Sequence, residues 1–458
     1  MIRILMYFQM LNYKDPVPVT NKSTTKAKRK LKNFLRRPFR LLTFFKDYVV
    51  YVFYQLVHVL TKKEEKTCIF ITREEDRKSL FSEERLNPFY FSTQKLFPNT
   101  NIHEYCAEDL LAIKHRLISP FRIRSITRDA LNQKKAISEV CQYTNSLFPD
   151  FTFGAIAYVW FLFEILIYRE IYRVMFKRNK VNTVFTTVYY SSSSMAAAWA
   201  CNEMGIDVVE IQHGQQGKIS PLNNDWTKLP KAGYLLMPKF FWVWGNLTLN
   251  RKRVFRNHEF HQIFVGGNPN LSISTRSNVK SGTHKPIHVL FAMQPIQHPL
   301  PQFLLDLISE LHESEVIWHI RLHPRMIDRL TEVEELFANS PNVEIRISTQ
   351  TPLYLLLPQI NKVLTLWSTV VYEACFFHIP ACILSANGKN LMKDHIDSGL
   401  LHYAGNRESL RSFILSQSSK SFPDLKDFIE TDHAQIKQNI EKALPQLEYK
   451  EPLDQFGQ

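Results

Sequence analysis

Residues 205–218 read Gly-Ile-Asp-Val-Val-Glu-Ile-Gln-His-Gly-Gln-Gln-Gly-Lys. Ile206–Ile211, in which Ile206, Val208, Val209 and Ile211 are β-branched, reads as a short buried strand bounded by Gly205. It passes directly into Gln212, His213 and Gly214, then into a loop with Gly217 and Lys218. Open α/β sheets bind their ligands beyond the C-terminal ends of strands, where a polar tip of this kind falls. Glycine lets a backbone approach a substrate closely, and histidine exchanges protons near neutral pH. Upstream, Asn182–Tyr189 reads as a strand and Ser191–Met204 as a helix with serines to cap it, which completes a βαβ unit and implies a parallel sheet. Phe240–Trp244 and Gln262–Val265 are two further strands, each stopped by glycine (Gly245; Gly266-Gly267).

After Asn268–Lys285, a stretch poor in apolar residues that reads as an interdomain linker, the pattern restarts. Strands are predicted at Ile287–Ala292, Val316–Leu322, Val343–Ile347, Lys362–Leu366 and Ala381–Leu384. Helices fall between them at Gln302–His312, Arg325–Asn339, Pro352–Leu357 and Val370–Phe377. The expected fold is therefore α/β: two Rossmann-like domains facing each other across a cleft, with a basic N-terminal helical extension. The boundaries are 1–64 for the basic amphipathic segment, 65–267 for an acceptor domain, 268–285 for the linker, 286–420 for a nucleotide-donor domain and 421–458 for a helical tail. Thr67–Thr72 is the first buried strand; 73–150 reads as helical or irregular. Phe153–Tyr168 is apolar but too short to span a bilayer, and is expected as a buried helix.

A chain of 458 residues with 45% apolar side chains is globular and too long for a single core. Six cysteines, widely spaced and with no C-x-x-C pair, argue for a reducing compartment and against a disulfide frame or a zinc site. The net charge is +14. Nine Lys and Arg side chains lie between Lys22 and Arg40, just before the aromatic-rich stretch Leu41–Leu60. That stretch holds Lys46, Asp47 and His58, which disfavours a spanning helix. A solvated arm followed by a packed helix accounts for this segment, and so does association with an anionic membrane surface. No nucleic-acid motif accompanies the charge, and no secretory signal precedes it.

The second domain offers two more polar strand ends. Arg321-Leu322-His323-Pro324 closes one strand; alternation puts Arg321 and His323 on one face, suited to a phosphate, and a surface arginine beside a helix-capping turn explains the same residues. Trp367-Ser368-Thr369 closes another, followed by a helix in which Glu373 is placed to accept from a ribose diol. Ordinary capping by Ser368 or Thr369 explains the same residues. Gln294, after the first strand of this domain, lies on the same edge. Around His213, the residues Glu210, Gln212, Gly214 and Lys218 are expected to meet an acceptor or line the cleft. There is no G-x-G-x-x-G, no G-x-x-x-x-G-K-[ST] and no D-x-D at a strand end. No metal is expected, and the diphosphate would be neutralised by protein groups.

Glu210-Ile211-Gln212-His213-Gly214, Arg321-Leu322-His323-Pro324 and Ser368-Thr369-Val370-Val371-Tyr372-Glu373-Ala374 together resemble the GT-B-fold transferases that build bacterial capsules and wall polymers. These are the capsular polysaccharide glycosyltransferases, bacterial polysialyltransferases and CDP-glycerol glycerophosphotransferases. The resemblance covers roughly residues 180–385. It implies a metal-independent glycosyltransferase moving a sugar from a nucleotide-sugar to a surface polysaccharide or its lipid-linked precursor, at the cytoplasmic membrane face. It further implies His213 as base, His323, Arg321, Ser368 and Thr369 on phosphate, and Glu373 on ribose. The acidic motif of polysialyltransferases is absent, and the tract after His213 lacks the Thr-Pro of the glycerophosphotransferases. A polyol-phosphate transferase, a nucleotide-sugar epimerase of the same fold and a non-catalytic scaffold of polysaccharide export remain as alternatives.

Overall fold

The computed structural model describes residues 67–73, 87–133, 137–139, 142, 155–214, 216, 229–272, 286–295, 300–311, 315–351, 353–416 and 425–451. The basic segment 1–64, Lys218 and all but the first residues of the 268–285 linker lie outside this set. The first sheet comprises β1 (Thr67–Thr72), β2 (Ile102–Cys106), β3 (Val181–Thr186), β4 (Asp207–Ile211), β5 (Phe240–Val243) and β6 (Gln262–Val265). Its order is β2-β1-β3-β4-β5-β6, and every pairing is parallel. The second sheet comprises β7 (Ile287–Ala292), β8 (Val316–Arg321), β9 (Val343–Glu344), β10 (Lys362–Thr365), β11 (Ala381–Ile383) and β12 (His402–Tyr403). It is also parallel, in the order β12-β11-β10-β7-β8-β9. The strand order reverses at β1/β3 in the first sheet and at β7/β10 in the second. Both are doubly wound sheets of the Rossmann type, with a crevice at each reversal.

The βαβ unit around β4 forms for local reasons. Ser191 caps the helix Ser192–Met204 by accepting from the Ser194 amide, and Gly205 ends it in the left-handed region at φ 69°. Small residues on that helix (Ala196, Ala197, Ala198, Ala200) let the helix Ala155–Arg178 pack closely on it; all four are fully buried. On the longer helix, Tyr168, Tyr172 and Phe176 recur every fourth residue and stack at 5.9 and 5.5 Å. This helix runs ten residues beyond the expected end at Tyr168. Among the described residues, no helix is long and apolar enough to cross a membrane.

Several elements differ from expectation. β2 lies in a region read as free of strands; its sequence, Ile-His-Glu-Tyr-Cys, is half polar because it is an edge strand with one face partly solvated. The expected strand Val343–Ile347 pairs only at Val343 and Glu344, and the chain then turns into a helix, Arg346–Gln350. The Glu344 carboxylate causes the turn by accepting from the Ile347 and Ser348 amides at 2.8 and 2.6 Å. After β8 a 3-10 turn, Pro324–Arg329, precedes the helix Leu330–Leu336.

The C-terminal segment returns to the first sheet. The Leu247 amide donates to the Asp427 carbonyl at 2.7 Å, and the Glu430 amide to the Trp244 carbonyl at 2.8 Å. Ile436, Ile440, Leu444, Leu447 and Tyr449 then join the core formed by Phe70, Phe185 and Trp242. Gly245 permits the crossing: a Cβ there would lie 2.5 Å from the backbone of Phe428.

Candidate functional site

Strand register aligns the polar tips. Thr186 pairs with Glu210 and Ile211 with Trp242. The loops 187–191, 212–214 and 244–245 therefore share one edge of the first sheet. In the second sheet Arg321, Ala292 and Thr365 stand level, which puts His323, Gln294 and Ser368 on one edge as well.

The two edges meet. A Cβ built on Gly214 would lie 3.7 Å from Thr369 Cγ2, so the tip after β4 and the tip after β10 are separated only by ordinary van der Waals contact. Beside them the Trp244 and Tyr372 rings pack edge to face at 5.4 Å. His213, Gly214, Ser368, Thr369 and Glu373 are all partly exposed, as tips bordering a cleft must be.

Each tip is set by a glutamine. Gln212 is 3% exposed. Its Nε2 donates to the Gly214 carbonyl at 3.0 Å and its Oε1 accepts from the Trp244 amide at 2.9 Å. Both ends of the side chain are thus used in fixing the turn that carries His213. Gln294 repeats half of the device at the β7/β10 reversal, where its Oε1 accepts from the Trp367 amide at 2.8 Å. The Ser368 amide donates to Thr365 Oγ1 at 3.1 Å, and Ser368 Oγ accepts from the Val370 amide at 3.4 Å. Thr369 occupies the cap position of the following helix without a side-chain capping bond.

Other expected site residues are placed elsewhere. Glu210 is 1% exposed and forms an ion pair at 4.0 Å with Lys252, whose ammonium sits over the Phe241 ring at 4.6 Å. It lies beneath the tip, away from the cleft. Arg321 Nη1 donates at 2.6 Å to both the Ser348 and Thr351 carbonyls. Burial lowers its pKa to about 10, against an opposing contribution from Glu373. Arg321 therefore clamps the turn after β9, assisted by a bond from the Leu322 amide to Thr349 Oγ1 at 3.2 Å. His319, two residues earlier, grips the same turn through Ser348 Oγ at 3.0 Å and contacts His288 at 2.9 Å. Burial first, then the neighbouring His288, push the pKa of His319 down to about 4. His323 has left the strand; it is half-buried, and its carbonyl accepts from the Met326 amide at 2.8 Å.

Two groups of residues at the site carried no signal in the sequence reading. At the β1/β3 reversal, Thr186 and Ser194 share a 2.7 Å hydrogen bond and Thr72 accepts from Asn87 at 3.0 Å, a buried hydroxyl-rich patch one strand from His213. The serines of 191–194 were visible, but only as helix caps. Between the domains, Arg251 pairs with Asp394, and within the second domain, beside that pair, Tyr372 bonds to His395 at 2.9 Å. Nothing local marks partners 143 residues apart. Among the described residues, no three His, Cys, Asp or Glu side chains cluster to hold a metal ion.

Two parallel, doubly wound sheets with their C-terminal edges in contact define a GT-B-like two-domain α/β fold. No protein-family model and no curated protein matches the sequence. Similar solved structures include the UDP-GlcNAc 2-epimerase of Neisseria meningitidis bound to UDP-GlcNAc, at 12% identity and a TM-score of 0.49, covering 83% of this chain and 100% of that one. The UDP-GlcNAc 2-epimerase of Methanocaldococcus jannaschii is similar at 14% identity and 0.46, covering 83% and 99%. The wall teichoic acid polymerase TagF is similar at 9% and 0.43, covering 88% and 92%. These likenesses are of fold alone.

Proposed function

We propose that the protein is a glycosyltransferase that takes a sugar from a nucleotide-sugar held mainly by the second domain and passes it to an acceptor lying against the first. The observation that carries this reading is that a Cβ on Gly214 would lie 3.7 Å from Thr369 Cγ2, so the tip that carries His213 borders the tip that carries Ser368 and Thr369. In this reading His213 removes the proton of the acceptor hydroxyl as the glycosidic bond forms. The bond between the sugar's anomeric carbon and the diphosphate breaks, and the electron pair leaves with the phosphate oxygen. The Thr369 hydroxyl and His323 stabilise that oxygen, and Glu373 accepts from the ribose. Arg321 acts behind this layer, since its Nη1 is committed to two carbonyls. The transfer needs no metal in this reading, and the acceptor is a surface polysaccharide or its lipid-linked precursor.

The test is a panel of UDP-, CMP-, CDP- and GDP-linked donors, assayed by calorimetry and by product analysis. One donor class should bind and be turned over. His213→Ala should lower turnover by about 10²–10⁴ with donor affinity retained. No binding by any donor would refute the reading, and so would near-normal turnover in the His213 variant.

A further inference from the structure

Arg251 ends the helix Asn246–Arg251, which starts directly after the β5 tip. Its side chain is 10% exposed. Nη1 donates to the carbonyl of Gln216, in the segment that carries His213, at 3.3 Å. Nη2 pairs with the carboxylate of Asp394, on the helix Lys393–Asp397 of the other domain. Nε is buried with no partner among the described residues. Asp394 is itself rigidly seated, because the next residue, His395, is 2% exposed, bonds to Tyr372 and packs on the Phe428 ring at 4.5 Å.

A guanidinium is a flat fork whose donors move together. If Asp394 withdraws as the domains part, the plane of Arg251 turns, and Nη1 leaves the Gln216 carbonyl. We propose that Arg251 is a positioning residue: it makes the conformation of the 212–214 turn depend on the docking of Asp394, so that His213 takes its working orientation only when the two domains are closed. The catalytic consequence rests on the transferase reading above; the mechanical coupling does not.

Hydrogen exchange on the full chain separates the two. Asp394→Asn keeps the shape of the side chain and lies in the second domain. It should speed exchange at Gln212, His213 and Gly214 by about 5-fold or more, the lower end of ordinary intersite coupling. Amides of β1 and β3 should be unaffected. Arg251→Lys, which keeps the charge but not the fork, should do the same, and combining the two changes should add little. If Asp394→Asn leaves exchange at the tip unchanged, the coupling is refuted. Should Arg251→Lys fail to fold, Asp394→Asn decides alone. With an active donor, both variants should lose about tenfold in kcat with donor KM nearly unchanged, the pattern of a lost transition-state arrangement. Coupled exchange in a protein that turns over no donor would sustain the role of Arg251 and overturn the transferase.

Discussion

Gln212→Leu removes both hydrogen bonds that fix the His213 turn while nearly preserving side-chain volume. The Trp244 amide, in the buried strand end beside Trp242, then loses its acceptor, and the Gly214 carbonyl loses its donor. A buried donor left unsatisfied costs about 1–3 kcal/mol and the second bond adds about 1 kcal/mol, so the expected loss is about 2–4 kcal/mol. At roughly 2–4 °C per kcal/mol for a domain of this size, the melting transition should fall by roughly 4–16 °C. Gln212→Glu keeps the acceptor for the Trp244 amide, and only its neutral form has an O–H donor for the Gly214 carbonyl. It should therefore be less damaging at a pH low enough to keep the carboxyl neutral than at neutral pH, where a buried charge is added. Differential scanning calorimetry of the three proteins measures this directly. Gln294→Leu is the internal comparison, because it removes one such bond, to the Trp367 amide, and should cost about half as much. If Gln212→Leu melts with the wild type, the glutamine does not organise the turn, and the account of how His213 is placed fails.

Gly388→Ala would put a Cβ 1.9 Å from the Leu366 carbonyl, so the strand end before Ser368 must shift; stability should fall by about 2 kcal/mol or more by chemical denaturation. Gly214→Ala should be tolerated, since its Cβ meets only Thr369 Cγ2 at 3.7 Å, whereas Gly214→Val should hold the domains apart and show as a larger radius of gyration by X-ray scattering. His319, held down to about 4 by burial, contributes stability fully present above its unfolded value of about 6.5. As pH falls through that interval the unfolded chain binds a proton that the folded chain refuses, and stability is lost. His319→Gln should shrink the loss between pH 6.5 and 4 by on the order of 2 kcal/mol, read from denaturant titrations at each pH. His395, lowered to about 3 by burial and by Arg251, should leave a residual pH dependence of the same sign.

Much of the fold was legible because its strands are buried on both faces. Thr67–Thr72, buried at every position, and Ile287–Ala292, buried from Val289 onward, begin and end where their apolar runs do. What escaped was decided by context. β2 carries His103 and Glu104 in a strand because it has a neighbour on one side only. Ile345 and Ile347 read as strand, yet the Glu344 carboxylate caps a helix there. The tips at 212–214 and 368–369 were legible through their glycines and hydroxyls. Arg321 was not legible as a clamp, because its partners are the carbonyls of Ser348 and Thr351, which no side-chain pattern announces.

The return of residues 425–451 to the first sheet makes the second domain an insertion, threaded into the first rather than appended to it. Any hinge between the halves is therefore double-stranded: one crossing follows β6 and the other precedes Leu425, with the segment around Asp427 and Glu430 fastened to the β5 end. A chain cut after the second sheet would leave Trp242 and Phe185 without the cover of Ile436 and Ile440, exposing the core of the wrong half. Separating the halves for study calls for excising the insertion and joining its two crossings, with the C-terminal helix kept on the partner it stabilises.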